Sequence, residues 1–460
     1  MNPAMPMKTA YFAPSALLPD GWASAVRMEV DTFGRLSRVE AGASADGAVR
    51  LPGPVVPGMP NLHSHAFQRA LIGRTQVAGP GEDSFWTWRK AMYASLDRLG
   101  PDEVAAVAGW LAVELLEGGF TGIAEFHYVH HQPDGTPYAN PAELGQRTLS
   151  ALRSAGLSVA MLPVLYAHSG FGGQAPVPGQ RRFLNDVEGV LRIVEAIRDH
   201  AAGDPGVRVG LAPHSLRAVT PDELRAAVAG LLANAPIHVH IAEQQKEVED
   251  CIAWSGAPPV RWLLDHAPVD GRWCLVHATH VRPDEVEGMA AAGCIAGLCP
   301  TTEADLGDGI FPAVDFVRMG GRLGVGTDSH VGRSAAAELR LLEYGQRLRD
   351  QRRARVLPPG ERHTGAALWR AAAAGGAQAL GLDTGRLSVG AAADLVALDA
   401  DHPALIGLDG DALLDAVVLG QGDGAVDTVV ARGAVVVEGG RHRERDARLE
   451  AFREAMARLG

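Results

Sequence analysis

Between residues 54 and about 330, short apolar runs rich in β-branched residues alternate with stretches rich in Ala, Leu, Glu and Arg, whose apolar positions recur with a helical period. The runs are VVPGMPNL, GFTGIAEF, GLSVAMLPVLY, VRVGLAP, PIHVHIAE, RWCLVHA, GCIAGLC and RLGVGTD. Near-continuous hydrophobicity over such lengths, punctuated by Gly and Pro, is what a strand buried on both faces requires. Eight runs, most followed by an amphipathic helix, predict a parallel sheet closed into a (β/α)8 TIM barrel. Ahead of the barrel, AVRMEVD and GRLSRVE read as short β segments with turns. Helical patterns continue from 334 to about 380; ADLVALD and DTVVARGAVVVEGG then turn β-like, and a last helix is expected near 445–459. The two terminal β regions are expected to pair into a small β-sandwich. The expected divisions are 1–55 for its N-terminal half, 56–383 for the barrel, 384–445 for its C-terminal half and 446–460 for the final helix.

Composition narrows the function. Of 460 residues, 47% are hydrophobic and 21% charged, an ordinary globular balance. The net charge of −12 argues against a broad nucleic-acid or membrane surface, which would favour a basic patch. A small anionic substrate is still allowed, because its binding depends on local charge. No apolar run approaches the roughly 18 residues of a membrane span. The opening MNPAMPMKTAYFAPSALLPDGW lacks a basic segment followed by an apolar one, so a cytoplasmic protein is expected. Cys251, Cys274, Cys294 and Cys299 form no CxxC pair, which disfavours both disulfides and a cysteine zinc site.

The candidate chemistry sits at the strand ends. His63 and His65, in Asn61-Leu62-His63-Ser64-His65, are two apart on the first barrel strand and so share a face. Alone, the pair is a weak signal and reads more readily as two ordinary polar strand residues. Its companions sharpen it: PIHVHIAE carries His240 with Glu243 three residues on, CLVHATH carries His277, and GVGTDSH carries Asp328. All lie at C-terminal ends of strands, the face where barrel active sites are built. Three imidazoles and a carboxylate suit Zn²⁺ and leave room for a water; iron or manganese accept similar ligands. A second metal would want a bridging carboxylated lysine, yet the lysines are only Lys8, Lys90 and Lys246, none in a barrel strand. One metal on His63, His65, His240 and Asp328 is therefore expected, with Glu243, His277 and Asp328 as acid-base groups. Glu243 alternatively reads as a surface helix residue and His277 as a core histidine. His130 and His131 fall in a turn-rich segment and are expected to be solvated; His238 is expected to serve a structural hydrogen bond, and His280 and His330 to support the ligands.

At these residues the sequence resembles the amidohydrolase superfamily: PGMPNLHSH, HVHIAE, LVHATH and GTDSH match its metal and catalytic motifs in order. GRLSVGAAADLVALD and DTVVARGAVVVEGGR resemble its C-terminal β segment, which packs with the N-terminal one. More narrowly, HSHAFQRALIGR, DSFWTWRKAMY, AEFHYVHHQPDG, LPVLYAHSGFGGQAP, HSLRAVTP, HIAEQQKEVEDC and TTEADLGDGIFPA are similar to the formimidoylglutamate deiminase family. The resemblance covers essentially the whole chain. It implies hydrolysis of N-formimino-L-glutamate to N-formyl-L-glutamate and ammonia in histidine degradation, with one zinc per subunit in a homodimer. For that small dianion it points to Arg217 as a bidentate carboxylate binder, with Tyr128, His214 and Gln68 adding hydrogen bonds. Arg89 is a further candidate that could serve a neighbouring subunit's site. Surface salt bridging by Arg217 and rim packing by Tyr128 are the plainer readings of those residues. Trp86 and Trp88 read as packing or dimer surface. Two rivals stand beside this reading: a deaminase acting on a guanine-, adenosine- or triazine-like ring, and a non-catalytic assembly protein on the same fold.

Overall fold

In the computed structural model, residues 9–76 and 85–460 are described; Lys8 with the start of the N-terminal segment, and Asp83 and Ser84 of DSFWTWR, lie outside them. The eight apolar runs form the barrel strands β1 (Met59–Ser64), β2 (Phe120–His127), β3 (Ser158–Leu165), β4 in two pieces (Val207–Val209 and Ala212–Pro213), β5 (Ile237–Ile241), β6 (Trp273–His277), β7 (Ile295–Leu298) and β8 (Arg322–Val325). Strands β1–β4 make one parallel ladder and β5–β8 another. Two seams close them into a ring. Leu211 bridges Ile237 and Ser215 bridges His240 at one seam, and Ser64 bridges Asp328 at the other, all parallel.

Strand parity fills the barrel. Ala160, Leu162 and Val164 of β3 join Leu62, Ala124, Phe126, Cys274, Val276 and Ile295 in one buried cluster. Val159, Met161 and Leu165, from the opposite parity, join Ile237, Val239, Ile241 and the helical apolar residues in another. On β5 this leaves His238 and His240 on the face opposite Ile237, Val239 and Ile241.

The terminal segments share a single nine-stranded sheet. Val55–Pro57 stands at its junction, pairing antiparallel with the strand Leu395–Leu398 and, through Val55, parallel with Ala16. Only Gly58 separates that strand from β1, so the terminal sheet feeds directly into the strand that carries His63 and leads into His65. Within the C-terminal region expected to be β, Asp411–Leu419 is instead a helix. It is stapled to the barrel's outer helices: Gly365 N donates to Asp415 Oδ1, and Tyr344 OH donates to Leu419 O. The helix Thr364–Leu380 lies against β1 and β8 through Gly375 and Gly376; a Cβ on Gly375 would meet Leu323 O at 2.0 Å. The final helix, Arg445–Leu459, packs on Pro101–Glu117. No helix among the described residues is long and apolar enough to cross a membrane.

Candidate active site

Three imidazoles converge at the C-terminal mouth of the barrel. His240 Nε2 lies 3.0 Å from His63 Nε2 and 3.3 Å from His65 Nε2. Asp328 Oδ1 is 3.3 Å from His65 Nε2 and 3.5 Å from His63 Nε2. The outer nitrogens fix the tautomers. His65 Nδ1 donates to Phe126 O at 2.9 Å and His240 Nδ1 to His214 O at 3.0 Å. A neutral imidazole with its proton on Nδ1 turns a bare lone pair outward from Nε2. Two such lone pairs facing each other at 3.3 Å, beside a carboxylate, make a donor set that a divalent cation fits. Burial pushes the His63 imidazole down to about 3, the neutral form a ligand needs.

Backbone strain concentrates here. Of ten described non-glycine residues at positive φ, five are Ala242, His277, Ala278, Asp328 and His330 at these strand ends. Each costs on the order of 1–3 kcal/mol and persists only where surrounding contacts dictate it. Such contacts are present: Asp328 N donates to His63 O, His65 N donates to Asp328 O, and Asn61 Oδ1 accepts from Thr327 N. Behind the histidines, Ser64 Oγ donates to Glu125 Oε2 at 2.7 Å and lies 3.2 Å from His330 Nε2, while His330 Nδ1 meets Thr327 Oγ1 at 2.8 Å.

His277 stands among carboxylates. Its Nδ1 is 3.2 Å from Glu303 Oε1; its Nε2 is 3.8 Å from Glu243 Oε1 and 3.7 Å from Asp328 Oδ2. Burial alone would lower its pKa, but Glu243, Glu303 and Asp328 outweigh that and hold it up at about 10. Burial raises Glu243 to about 7, against the pull of His277 and Arg217. The pocket around these groups is lined by Gln68, Arg89, Tyr128, His214, Arg217 and Leu306 among others. Gln68 Nε2 donates to Tyr128 OH at 2.9 Å and leaves its buried Oε1 without a partner. Arg217 is buried with no hydrogen bond at its Nε, which forms only a long ion pair with Glu247 Oε2 at 4.0 Å. Arg89 donates to Tyr93 OH at 2.6 Å and lines its own chain's pocket.

The fold thus brings His63, His65, His240, Asp328, Glu243 and His277 together with Gln68, Arg89, Tyr128, His214 and Arg217. Sequence reasoning missed Glu303 and Glu247. Both are buried and lie on the helices that follow strands, and Glu247 accepts from Ala242 N and Glu243 N. Trp86, expected to serve packing or a dimer surface, has its ring 5.6 Å from the Arg89 guanidinium and 5.9 Å from that of Arg217. The expectation for His130 and His131 is corrected: His130 is buried with Nε2 on Val164 O, and His131 is half-buried with Nε2 on Leu184 O, because the segment folds over the barrel rim. His238 serves a buried bond to Ala379 O, as expected, and all four cysteines are free and buried.

Residues 55–436 match the model of the amidohydrolase family, and residues 8–52 match that of the N-terminal domain of formimidoylglutamate deiminase HutF. The chain is 52% identical to the formimidoylglutamate deiminase of Pseudomonas aeruginosa, over 98% of its own length and 99% of the relative's. This chain belongs to the amidohydrolase family, in its formimidoylglutamate deiminase branch. A crystal structure of an amidohydrolase from Brucella melitensis superposes with a TM-score of 0.93 at 49% identity, covering 98% of this chain and 100% of that one. The 8-oxoguanine deaminase of Pseudomonas aeruginosa is more distant, 28% identical over 76% of this chain and 74% of its own. An adenosine deaminase from Xanthomonas campestris, solved with bound zinc, shares the amidohydrolase fold with a TM-score of 0.79 at 20% identity, over 99% of both chains. Like its family, this amidohydrolase is a hydrolase of carbon–nitrogen bonds.

Proposed function

We propose that the enzyme hydrolyses N-formimino-L-glutamate to N-formyl-L-glutamate and ammonia, as a step in histidine degradation, with one zinc held by His63, His65, His240 and Asp328. The observation that carries this reading is the pocket itself: a cation-ready set of lone pairs at its floor and two guanidiniums, Arg217 and Arg89, in its wall. A linear amidine with two carboxylates suits both ends. When bound, the divalent ion supplies Lewis acidity and lowers the pKa of a water it holds towards ~7.

The chain's own residues do the rest. Both nitrogens of His277 face carboxylates, so the ring acts as a doubly protonated donor that orients the attacking water. Asp328 accepts that water's proton. Glu243, poised at about 7, protonates the imine nitrogen as the formimino carbon becomes tetrahedral. As the carbon–nitrogen bond breaks, Asp328 returns its proton to the departing ammonia and Glu243 takes the hydroxyl proton of the adduct, which leaves the formyl carbonyl and resets both carboxyl groups. Arg217, Tyr128, Gln68 and His214 hold the substrate carboxylates and so position the reacting carbon, with Arg89 beside them. Ammonia release is expected with N-formimino-L-glutamate and not with guanine; the reverse preference would move the enzyme to the ring deaminases. Glu243→Gln is expected to lower kcat by about 10²–10⁴-fold with zinc content retained. Near-native turnover of that variant would remove Glu243 from the proton path. Elemental analysis is expected to return one zinc per chain.

A further inference from the structure

The end of the barrel opposite the active site holds an unusual charge. Arg322 opens β8, whose far end leads to Asp328, and Arg208 lies within the first piece of β4. Arg386 follows the helix Thr364–Leu380. From the terminal sheet come Arg35, just ahead of the strand Leu36–Glu40, and Arg432, at φ 47° on the tight Arg432–Gly433 turn between Val426–Ala431 and Ala434–Glu438. These five guanidiniums line one cavity of about 590 Å³, within the size range of small-molecule pockets. Asp383 is the one carboxylate in that lining, and it accepts a hydrogen bond from Arg386. Five cations against one carboxylate give the wall a formal +4, in a chain of net −12.

The guanidiniums of the remaining four meet only neutral hydrogen-bond partners or none, although the backbone N of Arg432 donates to Asp394 Oδ1 at 2.8 Å. Arg208 Nε donates to Gly381 O at 3.0 Å, Arg322 Nη1 to Gln378 Oε1 at 2.6 Å, and Arg432 Nη2 to Phe33 O at 2.7 Å. The Arg35 side chain makes no hydrogen bond or ion pair among the described residues. Carbonyls and amides satisfy N–H groups without cancelling charge. The C-terminus of Thr364–Leu380, beside Arg208, contributes about half a negative charge, too little to offset the rest. Burial lowers the pKa of Arg432, and Arg153 and Arg35 lower it further, against Asp394 and Asp204. Asp394 and Asp204, behind the lining, thus offset part of the charge at Arg432 but belong to no pair with Arg35, Arg208 or Arg322.

We infer that this cavity binds a polyphosphate anion: a small molecule carrying a di- or triphosphate. A charge of −3 to −4 matches the wall where a dicarboxylate would not, guanidiniums chelate phosphoryl oxygens in pairs, and Ala374, Ala377 and Leu382 offer an apolar flank to an uncharged moiety. The test is isothermal titration of the zinc-loaded full chain at physiological salt with pyrophosphate, ATP and, as a dicarboxylate, succinate. Pyrophosphate or ATP is expected to bind at submillimolar concentration, with succinate at least about tenfold weaker. Tighter ATP points to a nucleotide occupant; equal affinity points to free polyphosphate. Arg35→Glu with Arg322→Glu is expected to weaken binding at least about tenfold while deiminase activity stays intact. Arg35→Ala alone, at a side chain without partners, gives a weaker effect of the same sign and covers the event that the double variant misfolds. No saturable binding, equal succinate affinity, or binding unmoved by these variants would overturn the assignment. The last outcome would place the anion on the active-site metal instead.

Discussion

At the scale of single residues, His277 illustrates how the site works. A lone histidine at a strand end would be neutral in this buried setting; Glu303 on one nitrogen and Glu243 on the other fix both its charge and its ring plane. Glu303→Gln is therefore expected to lower kcat by about 10–100-fold with little change in KM and zinc content intact, read by steady-state kinetics and elemental analysis. A rise in KM with kcat unchanged would contradict an orienting role. Arg217→Lys exchanges a planar fork for a point charge, so KM for the formimino dianion should rise by about tenfold or more, with a smaller change in kcat. The converging histidines were legible in the sequence because His63 and His65 stand two apart at a strand end and because barrel chemistry collects at strand ends. Glu303 and Glu247 were not: each reads locally as one more acid on an amphipathic helix, and only folding sets it against His277, or beside Arg217 and under the Ala242–Glu243 backbone.

At the scale of elements, the eight apolar runs could be read directly, since each is long and bounded enough to admit one interpretation. The apolar stretch ALLDAVVL was ambiguous; it suits a strand or a buried helix equally, and it becomes the helix Asp411–Leu419 because a helical neighbour, Thr364–Leu380, is there to cover it. That neighbour depends on glycine. With Leu323 O only 2.0 Å from where a Cβ would stand, Gly375→Ala must push the helix off β8. A loss of about 1–3 kcal/mol of stability is expected, seen as a lower Tm, with activity at low temperature largely kept. An unchanged Tm would mean the helix is free to shift outwards.

At the scale of the whole molecule, the barrel is two four-stranded ladders joined at two thin seams. The backbone bridges at those seams involve Ser215 with His240 and Ser64 with Asp328, so the same positions that offer metal ligands also stitch the halves. His63 belongs to, and His65 just follows, a strand of the first ladder; His240 belongs to, and Asp328 just follows, strands of the second. Stripping the ion with a chelator is accordingly expected to abolish activity and to lower Tm, with zinc restoring both. Amide hydrogen exchange should accelerate most near Ser64, Ser215 and His240 rather than uniformly; uniform acceleration would argue against a local clamp. Each ladder is contiguous in sequence, so a newly made chain can assemble either half from neighbouring segments. The clasp, however, needs residue 328 before it can fasten onto residue 63. An ion held between His63, His65, His240 and Asp328 would then act as the final rivet of a hoop, and its scarcity would be felt first as a loosened ring.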